Sequence, residues 1–466
     1  MMSLQQAHDW LAAGPVPAAL VGSGQTHIDR VHTDTRTLQK GDLFVALKGE
    51  NFDAHDFLAQ AKASGATAAV AHHGLSMAGL PGLEVSDSKL ALGRLASSWR
   101  SQFDLPLIAV TGSNGKTTVT QMIASILRAY KPDAAFSTQG NFNNDIGVPL
   151  TLLRLRPAHQ IGVVELGMNH PGEIAYLAGL ARPAIALVNN AQREHLEFMS
   201  TVEAVALENG SVIEALDAQG VAVFPADDAY TALWQKMAGA RKTLTFALGG
   251  TADVTAAAHW ANNRWQVQAE TPSGQVEFTL GIAGRHNVKN ALAALACALA
   301  AGVPLVCIAA GLQVFEPVKG RSRAIPVTVS GRSMALIDDT YNANPDSMHA
   351  AIDVLAELPG PRLLVIGDMA EVGSDGPQFH EEAGHLARER GIDQLFALGV
   401  QSARAAHSFG SGQHFTDMAA LNAAVLAALP QFASVLVKGS RSMQMERVVQ
   451  AISAAHVIFS EPSHVA

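Results

Sequence analysis

Apolar residues recur along this chain in two rhythms, and the changes between them mark its organisation. Short, mainly apolar runs at Leu107–Val110, Ile161–Leu166, Ala184–Val188, Leu363–Ile366, Leu395–Leu398 and Val435–Val437 have the length of strands buried on both faces. Between them lie stretches with apolar positions three and four apart. Val119, Met122, Ile123, Ile126 and Leu127 have the spacing of a helix that buries one side. Strands alternating with helices predict parallel α/β sheets. Most of the apolar runs stop at polar clusters: Thr111 to Thr118, Glu165-Leu166-Gly167-Met168-Asn169-His170, Asn189-Asn190, Asp368-Met369-Ala370-Glu371 and Lys438-Gly439-Ser440-Arg441. Ligands of open parallel sheets bind beyond the carboxyl ends of the strands, so these clusters are the candidate site.

The same pattern divides the chain in three. Residues 1–105 read as a small α/β unit, with a polar loop Thr33-Asp34-Thr35-Arg36, a strand after Lys40-Gly41, and a helix opened by Asp53 as its cap. Taken alone, this unit could be purely structural. Residues 106–320 form the central unit. Within it, residues 221–283 carry short strands such as Lys242–Leu248 and Gln275–Leu280, which read as a β-rich extension of the central sheet. Residues 321–466 follow a hinge at Gly320-Arg321-Ser322-Arg323 and predict a second parallel sheet. The rims of the two sheets could face one cleft at a domain interface, a frequent place for ligands.

The first polar cluster carries the most specific chemistry. Gly112-Ser113-Asn114-Gly115-Lys116-Thr117-Thr118 joins a buried strand to a helix. A loop of this kind curls backbone N–H groups around a polyphosphate at the helix N-terminus. Lys116 is placed to reach the β- and γ-phosphates, and the Thr117 hydroxyl to hold Mg²⁺. The run departs from the general G-x-x-x-x-G-K-[ST] pattern, because the first Gly of that pattern would fall at Val110. Glu165, on a neighbouring strand end, stands where a second metal ligand belongs, and His195 and Glu197 after the next strand could add to it. Gly140-Asn141-Phe142-Asn143-Asn144-Asp145 makes a polar loop rich in hydrogen-bond donors. Asn287 and Asn290 share one face at the start of an Ala/Leu helix. Capping explains one of them, and the pair beside His286 suggests contact with a nucleotide.

Composition narrows the class. At 466 residues with 48% hydrophobic and 16% charged residues, the chain has enough apolar material for filled cores. Its net charge is −9 with no basic run, which argues against nucleic acid as partner. Two cysteines, Cys297 and Cys307, do not make a disulfide framework and suit a reduced cytoplasmic setting. MMSLQQAHDW lacks the basic and apolar regions of an export signal, and Ala291–Ala301 is too short to span a bilayer, so no membrane insertion is expected.

TGSNGKTT, GNFNNDIGVPLTLL, VELGMNHPGEI, DDTYNANPDSM, GDMAEVG and VKGSRSMQME occur in this order over nearly the whole chain, and the set resembles the Mur ligase family. The shorter phosphate loop is itself similar to that of Mur ligases and folylpolyglutamate synthetases. The resemblance implies a small N-terminal α/β domain for a UDP-sugar. It also implies a central P-loop parallel-sheet ATPase domain, and a C-terminal Rossmann-like α/β domain for the incoming amine and part of ATP. DDTYNANPDS and GDMAEVG favour the members that join D-Ala-D-Ala to UDP-MurNAc-tripeptide through an acyl phosphate for peptidoglycan. The implied cofactors are ATP and Mg²⁺, and a cytoplasmic monomer is expected.

By match to the family, Lys116, Glu165 and His195 are catalytic, and Thr117, Glu165 and His195 hold metal. Asn287, Asn290, Arg321, Asp339 and Asn342 would hold the nucleotide with the loop. Thr35, Arg36, Asn141 and Asn144 would face the UDP-sugar peptide, and Asp368, Glu371 and Lys438 the dipeptide. Several members carry a carbamylated lysine after the His195 region. Here Ala206-Leu207-Glu208-Asn209-Gly210-Ser211 has none, and Asn209 or Glu208 is left to replace it. Rival readings are another Mur ligase, a folylpolyglutamate synthetase-like ligase or a nucleotide switch without ligase chemistry. Residues 1–105 argue against the synthetase, and the missing N-K-x-D motif against a GTPase switch.

Overall fold

A computed structural model describes residues 1–14, 16–49, 52–261, 264–329 and 331–460. The last six positions of the expected third unit, 461–466, lie outside the described residues. The chain folds into three α/β domains built on three larger sheets. The central sheet has six strands, in the order Lys242–Phe246, Val221–Pro225, Ile185–Val188, Leu107–Thr111, Ile161–Glu165, Ala135–Ser137. All its pairings are parallel. Leu107–Thr111 lies between the two strands at which the order reverses, so its carboxyl end opens into the crevice that such a reversal creates. The register sets Glu165 beside Val110 and Val188 beside Thr111, which levels the three strand ends.

Alternation along Leu107–Thr111 explains why it is buried throughout. Leu107 and Ala109 face the core shared with the N-terminal domain, where Leu92, Leu95 and Trp99 pack. Ile108 and Val110 face the helix Lys116–Tyr130 and the helix Arg285–Ala300 behind it. The apolar face of Lys116–Tyr130 (Val119, Met122, Ile123, Ile126, Leu127) is fully buried. Each large side chain so buried contributes about 2 kcal/mol. This packing pins the phosphate loop at the helix start.

The stretch expected to extend the central sheet divides in two. Val221–Pro225 and Lys242–Phe246 join it, but Thr255–Ala261, Arg264–Thr271 and Gly274–Leu280 form a separate antiparallel sheet. Strands joined by short connections pair with their sequence neighbours, and here they bury one face, with Trp265, Val267, Val276, Phe278 and Leu280, against the helices behind the central sheet. The C-terminal sheet is mixed, where a parallel one was expected. Arg323–Val329 and Arg332–Asp339 form an antiparallel hairpin at its edge, and the edge strand carries Pro326, which needs no partner for a backbone N–H. Ser434–Lys438, Arg362–Gly367, Gln394–Leu398 and Gln413–Phe415 continue it in parallel. The N-terminal sheet runs Ala18–Val21, Gly82–Val85, Ala68–Ala71, Asp42–Val45, Arg30–His32, with only its first pair antiparallel. Among the described residues no helix is long and apolar enough to cross a membrane, and both cysteines are free.

Candidate active site

The carboxyl ends of the central strands and those of the C-terminal sheet line one cleft of about 930 Å³. Ser113 to Thr118, Asn141, Asn144, Glu165, His195, Asn287, Asn290, Arg321, Asp339, Asn342, Glu371 and Lys438 all reach it. Gly112 lies just beneath, at φ 132°, and a Cβ there would come within 3.0 Å of the backbone nitrogens of Asn189 and Asn190. Only glycine admits both that conformation and that approach. Gly115, also left-handed, caps the helix without a side chain and leaves the first helical N–H groups free.

A chain of amides holds the loop. The Asn114 N–H donates to Asn190 Oδ1 (2.8 Å), and Asn189 Nδ2 donates to the Asn114 carbonyl (2.8 Å) and to Asn290 Oδ1 (3.0 Å). Asn290 Nδ2 in turn donates to Asn287 Oδ1, and Asn287 Nδ2 to the Ala283 carbonyl. Neither asparagine caps the helix; Gly284 does, and both amides brace the phosphate loop from behind. Asn189 and Asn190 were readable only as polar strand ends, and their partners lie far away in sequence.

Lys116 Nζ donates to the carbonyls of Gly112 (2.5 Å) and Ser113 (3.0 Å) and to Glu194 Oε1 (2.7 Å). Thr117 Oγ1 donates to Glu165 Oε1 at 3.1 Å, and Asn143 Nδ2 donates to the same oxygen at 2.8 Å. Glu165 is 1% exposed and Glu194 8%. Each keeps a buried Oε2 with no partner. A buried carboxylate oxygen left unmatched is costly and calls for a cation or donor from a ligand. Among the described residues no three His, Cys, Asp or Glu side chains converge into a cage for a metal. The unpartnered carboxylate oxygens fit Mg²⁺, which takes one or two carboxylates and completes its shell with phosphates and water. Among the cleft residues that sequence reasoning gave no role are Asn143, Glu194, Asn189 and Asn190; Asn143 lay in the same run as Asn141 and Asn144, but nothing in the run told the three apart. Asn144 Oδ1 accepts from the Gly147 N–H and so opens the helix Gly147–Leu152.

His195 and Glu371 face each other across the cleft, and both have left-handed backbones, at φ 49° and 60°. Their Nδ1 and Oε2 are 2.7 Å apart, close enough for an ion pair but off the line of a hydrogen bond. This contact holds the Glu371 carboxyl below its ordinary range. More bonds cross the cleft. Asn114 and Asn344 exchange amide hydrogen bonds at 3.0 and 3.3 Å. Arg193 forks onto Asp346 at 2.9 Å and reaches Glu382 at 3.0 Å, with its guanidinium over Phe379. On the C-terminal side Lys438 Nζ, almost wholly buried, donates to Asp339 Oδ2 (2.7 Å) and the Asn342 carbonyl (2.9 Å). Arg321 stacks on Tyr341, 4.2 Å from the ring centre.

Five nominated residues are placed elsewhere. Asp368 accepts from the N–H groups of Ser402 (2.7 Å) and Gln401 (3.3 Å), at the start of the helix Ser402–Phe409 and outside the cleft lining. Thr35 and Arg36 lie on the short helix Thr35–Thr37, also outside that lining. There the Arg36 guanidinium binds Asp34 and holds its carboxyl at about 2. Glu208, offered as a stand-in for a lysine, instead accepts from the N–H groups of Gly172 and Ile174. Asn209 accepts from the Thr111 hydroxyl at 2.6 Å, and its unpartnered Nδ2 is a donor, which cannot ligate a cation.

Family models match in the order of the three domains: Mur ligase family, catalytic domain, at residues 27–100; Mur ligase middle domain at 110–298; and Mur ligase, glutamate ligase domain, at 323–441. The UDP-N-acetylmuramoyl-tripeptide–D-alanyl-D-alanine ligase of Escherichia coli K12 is 44% identical over 429 residues, 91% of this chain and 94% of that one. The chain belongs to the Mur ligase family. Its Mur ligase fold superposes on a crystal structure of MurF from Acinetobacter baumannii with a TM-score of 0.88 at 36% identity, covering 97% of this chain and 99% of that one. It also superposes on a Thermotoga maritima MurF ligase in complex with ADP, with a TM-score of 0.81 at 27% identity, covering 93% and 98%.

Proposed function

We propose that this chain joins the amine of D-alanyl-D-alanine to the terminal carboxylate of UDP-MurNAc-tripeptide, with conversion of ATP to ADP and phosphate, to make the pentapeptide precursor of peptidoglycan. The observation that carries this reading is the cleft itself. A phosphate loop with Lys116, Glu165 and Glu194 faces the strand ends of a second sheet, in a chain alike over 91% of its length to a ligase named for this reaction.

Residues 1–105 take the UDP-sugar, 106–320 the ATP, and 321–466 the dipeptide and part of the nucleotide. Thr35, Arg36, Asn141 and Asn144 are proposed for the UDP-sugar peptide. Arg321, Asp339 and Asn342 flank the nucleotide with Asn287 and Asn290, and Glu371 and Lys438 border the dipeptide. Asp368 acts on that border only through the helix it anchors.

In the first step an oxygen of the tripeptide carboxylate attacks the γ-phosphorus and ADP leaves. In the second the dipeptide nitrogen attacks the acyl carbon, loses its proton and expels phosphate. Both steps crowd negative charge, and Lys116 offsets it at the β- and γ-phosphates. Thr117, Glu165 and His195 would hold Mg²⁺, which neutralises phosphate charge when bound. The N–H groups behind Gly115 bind phosphate oxygens without moving, since the asparagine chain already holds them. Closure of the cleft through Arg193 and Asn114 excludes water, which would otherwise hydrolyse the acyl phosphate. The setting we propose is the cytoplasm, and the acting unit a monomer.

Phosphate release from Mg·ATP with UDP-MurNAc-tripeptide tests this directly. Release should depend on D-Ala-D-Ala and give a pentapeptide product by mass. Turnover with a single amino acid instead would assign the chain to another ligation of the family.

A further inference from the structure

Among the described residues Glu194 is the one carboxylate paired with Lys116, the cation a phosphate would need. Its Oε1 is 2.7 Å from Lys116 Nζ and 3.6 Å from His195 Nε2. Its Oε2 is buried and has no partner, in a residue that lines the cleft. When the site is empty, Lys116 and Glu194 neutralise each other. When a polyphosphate arrives, Lys116 can serve only one anion well. The displaced carboxylate would then stand beside phosphate oxygens in a site of low exposure, where like charges repel strongly. A cation must take its place, and the unpartnered Oε2 of Glu194, whose Oε1 already lies 3.6 Å from His195 Nε2, offers a hard oxygen for one.

We propose that Glu194 exchanges partners, holding Lys116 while the nucleotide site is empty and ligating a divalent cation with His195 once nucleotide is bound. Glu194 thereby makes nucleotide binding depend on the cation: it opposes metal-free nucleotide and favours the metal complex. Its part is positioning for Lys116 in one state and metal binding in the other. This rests on the nucleotide-site reading above.

The experiment measures ADP affinity by calorimetry in excess EDTA, and Mn²⁺ affinity by electron paramagnetic resonance at saturating ADP. Wild type is compared with Glu194→Gln and Glu194→Ala, each checked for an unchanged melting temperature. Both variants should bind metal-free ADP about tenfold more tightly and Mn²⁺ about tenfold more weakly, each the equivalent of one lost ion-pair contact. Unchanged metal-free ADP affinity overturns the placeholder half. Tighter ADP with unmoved Mn²⁺ affinity overturns the exchange, leaving Glu194 only a restraint on Lys116. Wild type that binds no ADP in either condition overturns the nucleotide site itself.

Discussion

At the rim of the central sheet, Glu165 and Glu194 each keep a buried carboxylate oxygen without a partner; at the rim of the C-terminal sheet, Asp338 and Asp339 are fully engaged. Asp338 takes the Gly320 N–H and the Thr340 hydroxyl, and Asp339 takes the Ser322 N–H and Lys438. Both rims are polar strand ends of open sheets, yet their hydrogen-bond accounts differ. Unmatched acceptors beside a lysine make the central rim a place that gains from binding a charged ligand. A satisfied network makes the C-terminal rim a frame that holds shape. The difference fits the proposed reading, in which the first rim carries the phosphoryl chemistry and the second frames the nucleotide and the incoming amine.

The sharpest way to break this division is Lys116→Ala. It should lower turnover about a thousandfold, since no other described cation contacts the phosphate loop in this way. Near-normal turnover would remove the central rim from the chemistry. Next comes the joint between the rims. Arg193→Ala should lower kcat/KM about tenfold by releasing Asp346 and Glu382, and Arg193→Lys should not restore it, because a lysine cannot fork onto Asp346. Steady-state kinetics of the three proteins decides the point. The smallest effect falls on the frame. Asp368→Ala should cost about 1 kcal/mol of stability by freeing the start of a helix, seen as a lower melting temperature. It should leave KM for ATP and for dipeptide within about twofold of wild type; a large rise confined to the dipeptide would return Asp368 to direct contact with the dipeptide.

What could be read from sequence follows the same contrast. The phosphate loop is local: a strand, two glycines, Lys116, Thr117 and a helix are adjacent in the chain, so their geometry is written in their order. The buried strands were legible for the same reason, as short apolar runs. Partner choice was not. Lys116 meets Glu194 across 78 positions, and Asp368 meets Ser402 across 34, with no local pattern to announce either. A Gly-Asp at a strand end reads alike whether its carboxylate faces a ligand or braces a helix. The strands from 221 to 283 show the limit for sheets. Their alternation fixed that they are strands, but whether they pair with the central sheet or with each other is set by connection length and the face they bury.

The most direct measurement is isotope scrambling in ATP carrying a heavy-oxygen label at its β–γ bridge, with Mg²⁺ and UDP-MurNAc-tripeptide but no D-Ala-D-Ala. If the central rim performs phosphoryl transfer while the C-terminal rim positions the amine, acyl phosphate forms and reverses without the dipeptide, and the label moves to non-bridging β positions. A label that stays in the bridge until D-Ala-D-Ala is added would contradict that division of labour.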